Sequence, residues 1–92
     1  MKVIQDDFFT NNLKGILRFI AKDSKQKAQN FNIALLKKLK TLPNHPYKFR
    51  QSFYYESVQV RDFIFKGYTV PYLVNEPKQV IVLLDIFKWS ER

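Results

Sequence analysis

Apolar residues recur at Phe9, Leu13, Ile16, Leu17 and Ile20, and again at Ala28, Phe31, Leu35, Leu39 and Leu42. Steps of three and four, with a single step of one between Ile16 and Leu17, place each set on one face of a helix, so the pattern predicts two amphipathic helices. Asp6 or Asp7 can cap the first, and Asp23 with Gln26 has capping-box spacing for the second. A junction at Asp23 and Ser24 folds the pair into a helical hairpin. Gly15 falls inside the first helix, where glycine costs about 0.5–1 kcal/mol relative to alanine and so points to close packing at that position. A short extended segment, Lys2 to Gln5, precedes the hairpin.

Pro43 and Pro46 end the helical half, because proline lacks the amide donor and disfavours helix in the residue before it. A connector rich in Tyr, Phe and polar groups runs from Pro43 to Ser57. β-Branched and aromatic residues then dominate, and strands are expected at Val58–Phe65, Tyr68–Val74 and Val80–Phe87. Lys66 and Gly67 make a two-residue hairpin turn and Asn75 to Lys78 a four-residue one, so the strands form an antiparallel meander. In the last strand Val80, Val82, Leu84 and Ile86 share one face and Ile81, Leu83, Asp85 and Phe87 the other. One face covers the helices, and the second is an apolar surface suited to a partner. Pro71 in mid-strand removes a ladder donor and calls for an edge, a bulge or a different strand boundary. The fold class is α+β, with residues 1–92 forming a single domain.

Composition narrows the chemistry. The 92 residues include no Cys and one His, so disulfides, thiol nucleophiles and a metal site are not expected, nor is any cofactor. The longest apolar run, Val80 to Leu84, is far short of the roughly 18–20 residues that span a bilayer, and no secretory pattern opens the chain. A soluble, cytoplasmic protein is expected, without membrane contact. Sixteen basic residues stand against eight acidic ones, a net charge of +8 that attracts polyanions or an acidic protein segment. The densest positive cluster, Lys25, Lys27, Lys37, Lys38 and Lys40, lies on the second helix and is read equally well as a solvated face or a binding surface.

The stretch Pro46-Tyr47-Lys48-Phe49-Arg50-Gln51-Ser52-Phe53-Tyr54-Tyr55, with Val60-Arg61-Asp62-Phe63-Ile64-Phe65-Lys66-Gly67-Tyr68-Thr69-Val70-Pro71-Tyr72 after it, resembles RelE/ParE-type toxins. The matching positions extend to Ala28, Phe31, Leu42, Pro43 and the apolar segment Val80 to Ile86. The resemblance implies the toxin of a type II toxin–antitoxin pair, of the kind that also includes plasmid-stabilisation proteins. Its partner would be an acidic, amphipathic antitoxin wrapped over helices and sheet. Its target would be mRNA on the ribosome, cut by RelE-like members, or DNA gyrase, inhibited by ParE-like members. Thr69 stands where the cleaving members carry Arg.

Metal-free RNA cleavage needs a base, an acid and cations around the reacting phosphate. Arg61, Lys66 and Lys88 are the candidate catalytic residues, with Lys48, Arg50, Tyr68, Trp89 and Arg92 as candidates for holding nucleic acid or another target. Arg61 can grip a phosphate bidentately if its strand face is open, or pair with Glu56 or Asp62. His45 can serve as a general base or simply face solvent. Lys66 can be a solvated turn residue, and Trp89 can stack on a base or anchor the tail. A basic nucleic-acid- or protein-binding module that shares only the fold, and a toxin that has lost its activity, are the alternative readings.

Overall fold

A computed structural model describes residues 1–88. Strand β1, Lys2–Gln5, leads into helix α1, Asp7–Asp23, and helix α2, Lys25–Leu39. Asp6 caps α1 by accepting the Phe8 amide at 2.9 Å. Between the helices one extended residue, Ser24, serves both ends: its amide donates to the Ile20 carbonyl, and its hydroxyl accepts from the Lys27 amide. The expected capping box does not form. Asp23 instead pairs with Lys27 at 2.9 Å, and Gln26 donates to Asn30. The close packing expected at Gly15 is also absent, since a Cβ there would meet nothing within 4 Å.

After a 3-10 turn at Leu42–Asn44, which Pro43 opens, the connector leads to β2, Val60–Phe65. Strands β3, Tyr68–Asn75, and β4, Val80–Leu83, complete the antiparallel meander. Lys66 and Gly67 both have positive φ, 49° and 84°, the geometry a two-residue turn of the primed type demands. The sheet runs β1-β4-β3-β2, and β1 joins it parallel to β4, a pairing the hydrophobic pattern did not foretell.

The last expected strand is not continuous. Tyr72 pairs with Leu83 and Thr69 with Phe87, so Leu84, Asp85 and Ile86 stand opposite only Val70 and Pro71. That surplus residue is a bulge, and beyond it the two-residue strand β5, Phe87–Lys88, returns to β3. Pro71 therefore sits in a central strand: its carbonyl accepts from the Leu84 amide, and its missing donor faces the same side, where the ladder is already interrupted. The bulge also reverses the alternation expected along Val80 to Phe87, so Ile86 joins Ile81 and Leu83 in the core.

The core lies between the helical hairpin and one face of the sheet. Phe9, Leu13, Phe31, Leu35 and Leu39 pack there on Phe63, Phe65, Val70, Tyr72, Val74, Ile81 and Leu83. Phe31 meets Phe65 and Tyr68 edge-on, with ring centroids 5.4 Å away in both cases. On the opposite face the connector returns over part of the sheet, where the Phe53 amide donates to Asp62 and Tyr54 meets Phe87 edge-on at 5.1 Å. Ile4, Leu73, Val80, Val82, Leu84 and Ile64 form the remainder, each partly open to solvent. No helix among the described residues is long and apolar enough to cross a membrane.

Candidate functional site

Two features concentrate the candidate residues, one at each end of the β2–β3 ladder. The first is a clasp on the connector. Arg61 shares its face with Phe63 and Phe65, and that face is the helix-covered one. Its guanidinium donates to the Val58 carbonyl at 3.2 Å and the Phe49 carbonyl at 3.1 Å, and lies 4.9 Å from the Tyr47 ring centroid. Its cross-strand partner is Tyr72, whose buried hydroxyl donates to the Pro46 carbonyl at 2.7 Å. Burial pushes the Tyr72 phenol up to about 12, against the pull of the Arg61 guanidinium and with a further push from Asp62. Neither acid weighed as a partner for Arg61 pairs with it. Asp62, buried on the opposite face, faces Arg50 at 3.5 Å.

Lys48 and Arg50 belong to the same end. Lys48 is exposed, with its ammonium 5.5 Å from the Phe49 ring centroid. Arg50 lies over the exposed Phe53 ring at 3.9 Å, so its cation is divided between an aromatic face and the Asp62 carboxylate. His45 lines a shallow open cleft with Asn44, Pro46, Tyr47 and Lys48.

The second feature is a groove of about 400 Å³ between α1 and the β3–β5 end of the sheet, lined by Asn12, Gly15, Ile16, Phe19, Tyr68, Ile86, Phe87 and Lys88. Tyr68 pairs with Lys88 across the ladder, and the Lys88 ammonium stands 5.5 Å from the Phe19 ring. Lys66 is at the exposed hairpin tip beside Tyr68, its ammonium 5.4 Å from the Phe65 ring. Thr69 is fully buried, and its hydroxyl has no partner among the described residues. Trp89 and Arg92 lie outside the described residues.

Tyr68 and Lys88 thus come together in the groove, Lys66 stays at the hairpin tip outside its lining, and Arg61 does not join them. Arg61 is opposite Tyr72 on one edge of β3 and Lys88 opposite Tyr68 on the other, so their backbones are offset by four residues, about 13 Å, along the strand and by two strand spacings across it. Sequence reasoning missed the Tyr47–Arg61–Tyr72 clasp, which depends on where the connector folds back. It also missed Phe8 and Phe19, for which a signal was present: both are aromatic yet fall off the apolar stripe of α1.

The chain is similar over nearly its whole length to known toxins. The family model described as "ParE toxin of type II toxin-antitoxin system, parDE" matches residues 3–92. A solved structure titled "Chromosomal ParDE TA system from P. aeruginosa" shares the fold at a TM-score of 0.77 and 18% identity, covering 96% of this chain and 95% of that one. No curated protein matches. With the strand, hairpin and bulged meander arranged as described, the chain belongs to the ParE toxin family of type II toxin–antitoxin systems.

Proposed function

We propose that the chain arrests growth in the cytoplasm by inhibiting DNA gyrase, and that an acidic antitoxin silences it. The observation that carries the choice of target is the separation of the cations that RNA cleavage would use. A phosphate in flight between two oxygens is only a few ångströms across, and its stabilising donors must lie about 3 Å from it. Arg61 and Lys88 are about 13 Å apart along β3. The Arg61 guanidinium is moreover engaged by two carbonyls and a ring. Where cleaving relatives carry Arg, Thr69 is sealed in the interior.

A gyrase inhibitor needs a binding surface rather than an acid–base pair, and the +8 charge favours encounter with an enzyme that works on DNA. The same charge favours an acidic protein as the neutralising partner. Purified protein added to gyrase should block supercoiling of relaxed plasmid while leaving ribosome-bound mRNA intact. Cleavage of that mRNA with gyrase untouched would reverse the assignment.

A further inference from the structure

The connector runs along the outer edge of β2: Gln51 pairs with Arg61, the Arg50 carbonyl accepts the Asp62 amide, and the Ser52 amide donates to the Val60 carbonyl. Two arginines are thereby brought to one end of the sheet, and the fold uses them differently. Arg61 turns to the helix-covered face, where two carbonyls and a ring occupy it. Arg50 turns to the outer face, and its guanidinium makes no hydrogen bond among the described residues. What holds it there is the Phe53 ring, whose centroid is 3.9 Å from the guanidinium carbon, and the Asp62 carboxylate at 3.5 Å. Asp62 fixes both members of that pair, since its sealed side chain faces Arg50 and also accepts the Phe53 amide at 3.2 Å. A guanidinium has five N–H donors in one rigid plane, so Arg50 is oriented with its hydrogen-bonding capacity unspent. The Phe53 ring beside it is 69% exposed.

We propose that Arg50 and Phe53 form a stacking platform for single-stranded DNA, with a backbone phosphate gripped by Arg50 and the adjoining base laid on the exposed ring. A planar cation fixed beside a flat apolar ring is the complement of a nucleotide, which carries an anion and an aromatic face in one unit. Both faces of a base in a duplex are covered by its neighbours, so only an opened strand can use the ring. Lys48, exposed two residues before Arg50, extends the positive surface along the connector. Glu56, the only acid between Pro43 and Gln59, lies three residues beyond Phe53, so charge directs the strand towards Lys48. The net charge of +8 draws in a polyanion from a distance, and the platform then selects one with free bases. The choice of DNA over RNA rests on reading gyrase as the target, an enzyme that works on DNA; the platform itself rests on Arg50, Phe53 and Asp62.

The probe is a short fluorescein-labelled oligothymidine, titrated against the full chain by anisotropy, beside the same strand annealed to its oligoadenine complement. Phe53→Leu should weaken the single strand about tenfold, a loss of about 1.4 kcal/mol, and leave binding of the duplex, held by charge alone, unchanged. Because Phe53 is exposed, the melting temperature of that variant should match the parent's. Phe53→Tyr, which keeps the ring, should bind as the parent does. Arg50→Lys keeps a cation opposite the sealed Asp62 but loses the planar fork, and should weaken the single strand about fivefold. Lys14→Gln, which removes one charge from the helical layer, should have less effect than either. Unchanged single-strand affinity in Phe53→Leu, an equal loss for the duplex in that variant, or a loss in Lys14→Gln as large as in Arg50→Lys would overturn the proposal. Tighter binding of oligouridine would overturn it by assigning the platform to RNA. Displacement of the strand by polyglutamate as readily as by unlabelled oligothymidine would overturn it by showing that any anionic chain suffices. Gyrase inhibition is read separately: a chain that binds the strand through Phe53 yet leaves gyrase active sinks the target and keeps the platform, whereas one that inhibits gyrase and binds no strand sinks the platform alone.

Discussion

Deleting the Tyr72 hydroxyl removes a donor from the Pro46 carbonyl and leaves the ring in place, so it isolates one bond of the clasp. Tyr72→Phe should lower stability by about 1 kcal/mol in urea denaturation, the usual net value of one hydrogen bond. It should also alter the alkaline limb of the stability curve. The phenol titrates near 10 when unfolded and about 12 when folded, so its protonated form favours the folded state. That contribution is complete below pH 10 and is lost as pH rises towards 12. The Phe variant should therefore lose less stability than the parent across that window, and an identical slope would show that Tyr72 does not govern it. Arg61→Ala frees the carbonyls of Phe49 and Val58. It should cost about 1.5–3 kcal/mol, the net range for a hydrogen bond made by a charged group, and speed amide exchange along the connector. None of these three bonds was legible in the sequence. Arg61 was recognisable as a residue with work to do, but its partners are carbonyls, which carry no sequence signature.

Helices announce their buried faces through local spacing, and the core positions of α1 and α2 were readable for that reason. Their junction was readable to within a residue, yet the cap fell to Ser24 rather than Asp23, because either side chain can accept an amide and only the final backbone angle decides. Ser24→Ala should destabilise the protein by about 1 kcal/mol in thermal or urea unfolding, since it strips the cap from α2 while leaving the amide that ends α1. No measurable change would mean that water replaces the hydroxyl without penalty. The strands were legible as segments and less so as a sheet. A bulge is a mismatch between two strands, so it appears only once the register of β3 is fixed; Pro71 hinted at it by its missing donor.

At the scale of the whole molecule, charge and topology act on different questions. The excess of cations acts at a distance, so the proposed inhibition of gyrase should weaken steeply as salt rises from about 50 to 200 mM, chiefly through slower association. Stopped-flow measurements at several ionic strengths would read this directly, and a salt-independent association rate would show that apolar contact governs encounter instead. Topology was the least legible level. The pairing of β1 with β4 joins Lys2 to Val80, and nothing local marks so distant a contact. That pairing bears on biosynthesis. A nascent chain emerging from the ribosome holds its first strand without a ladder until the segment from Val80 to Leu83 has also been made. Translation halted before that point yields a polypeptide whose opening strand has no neighbour to bond, so a release product truncated ahead of Val80 should be left unfolded and open to proteolysis, which limited digestion of such a fragment would read.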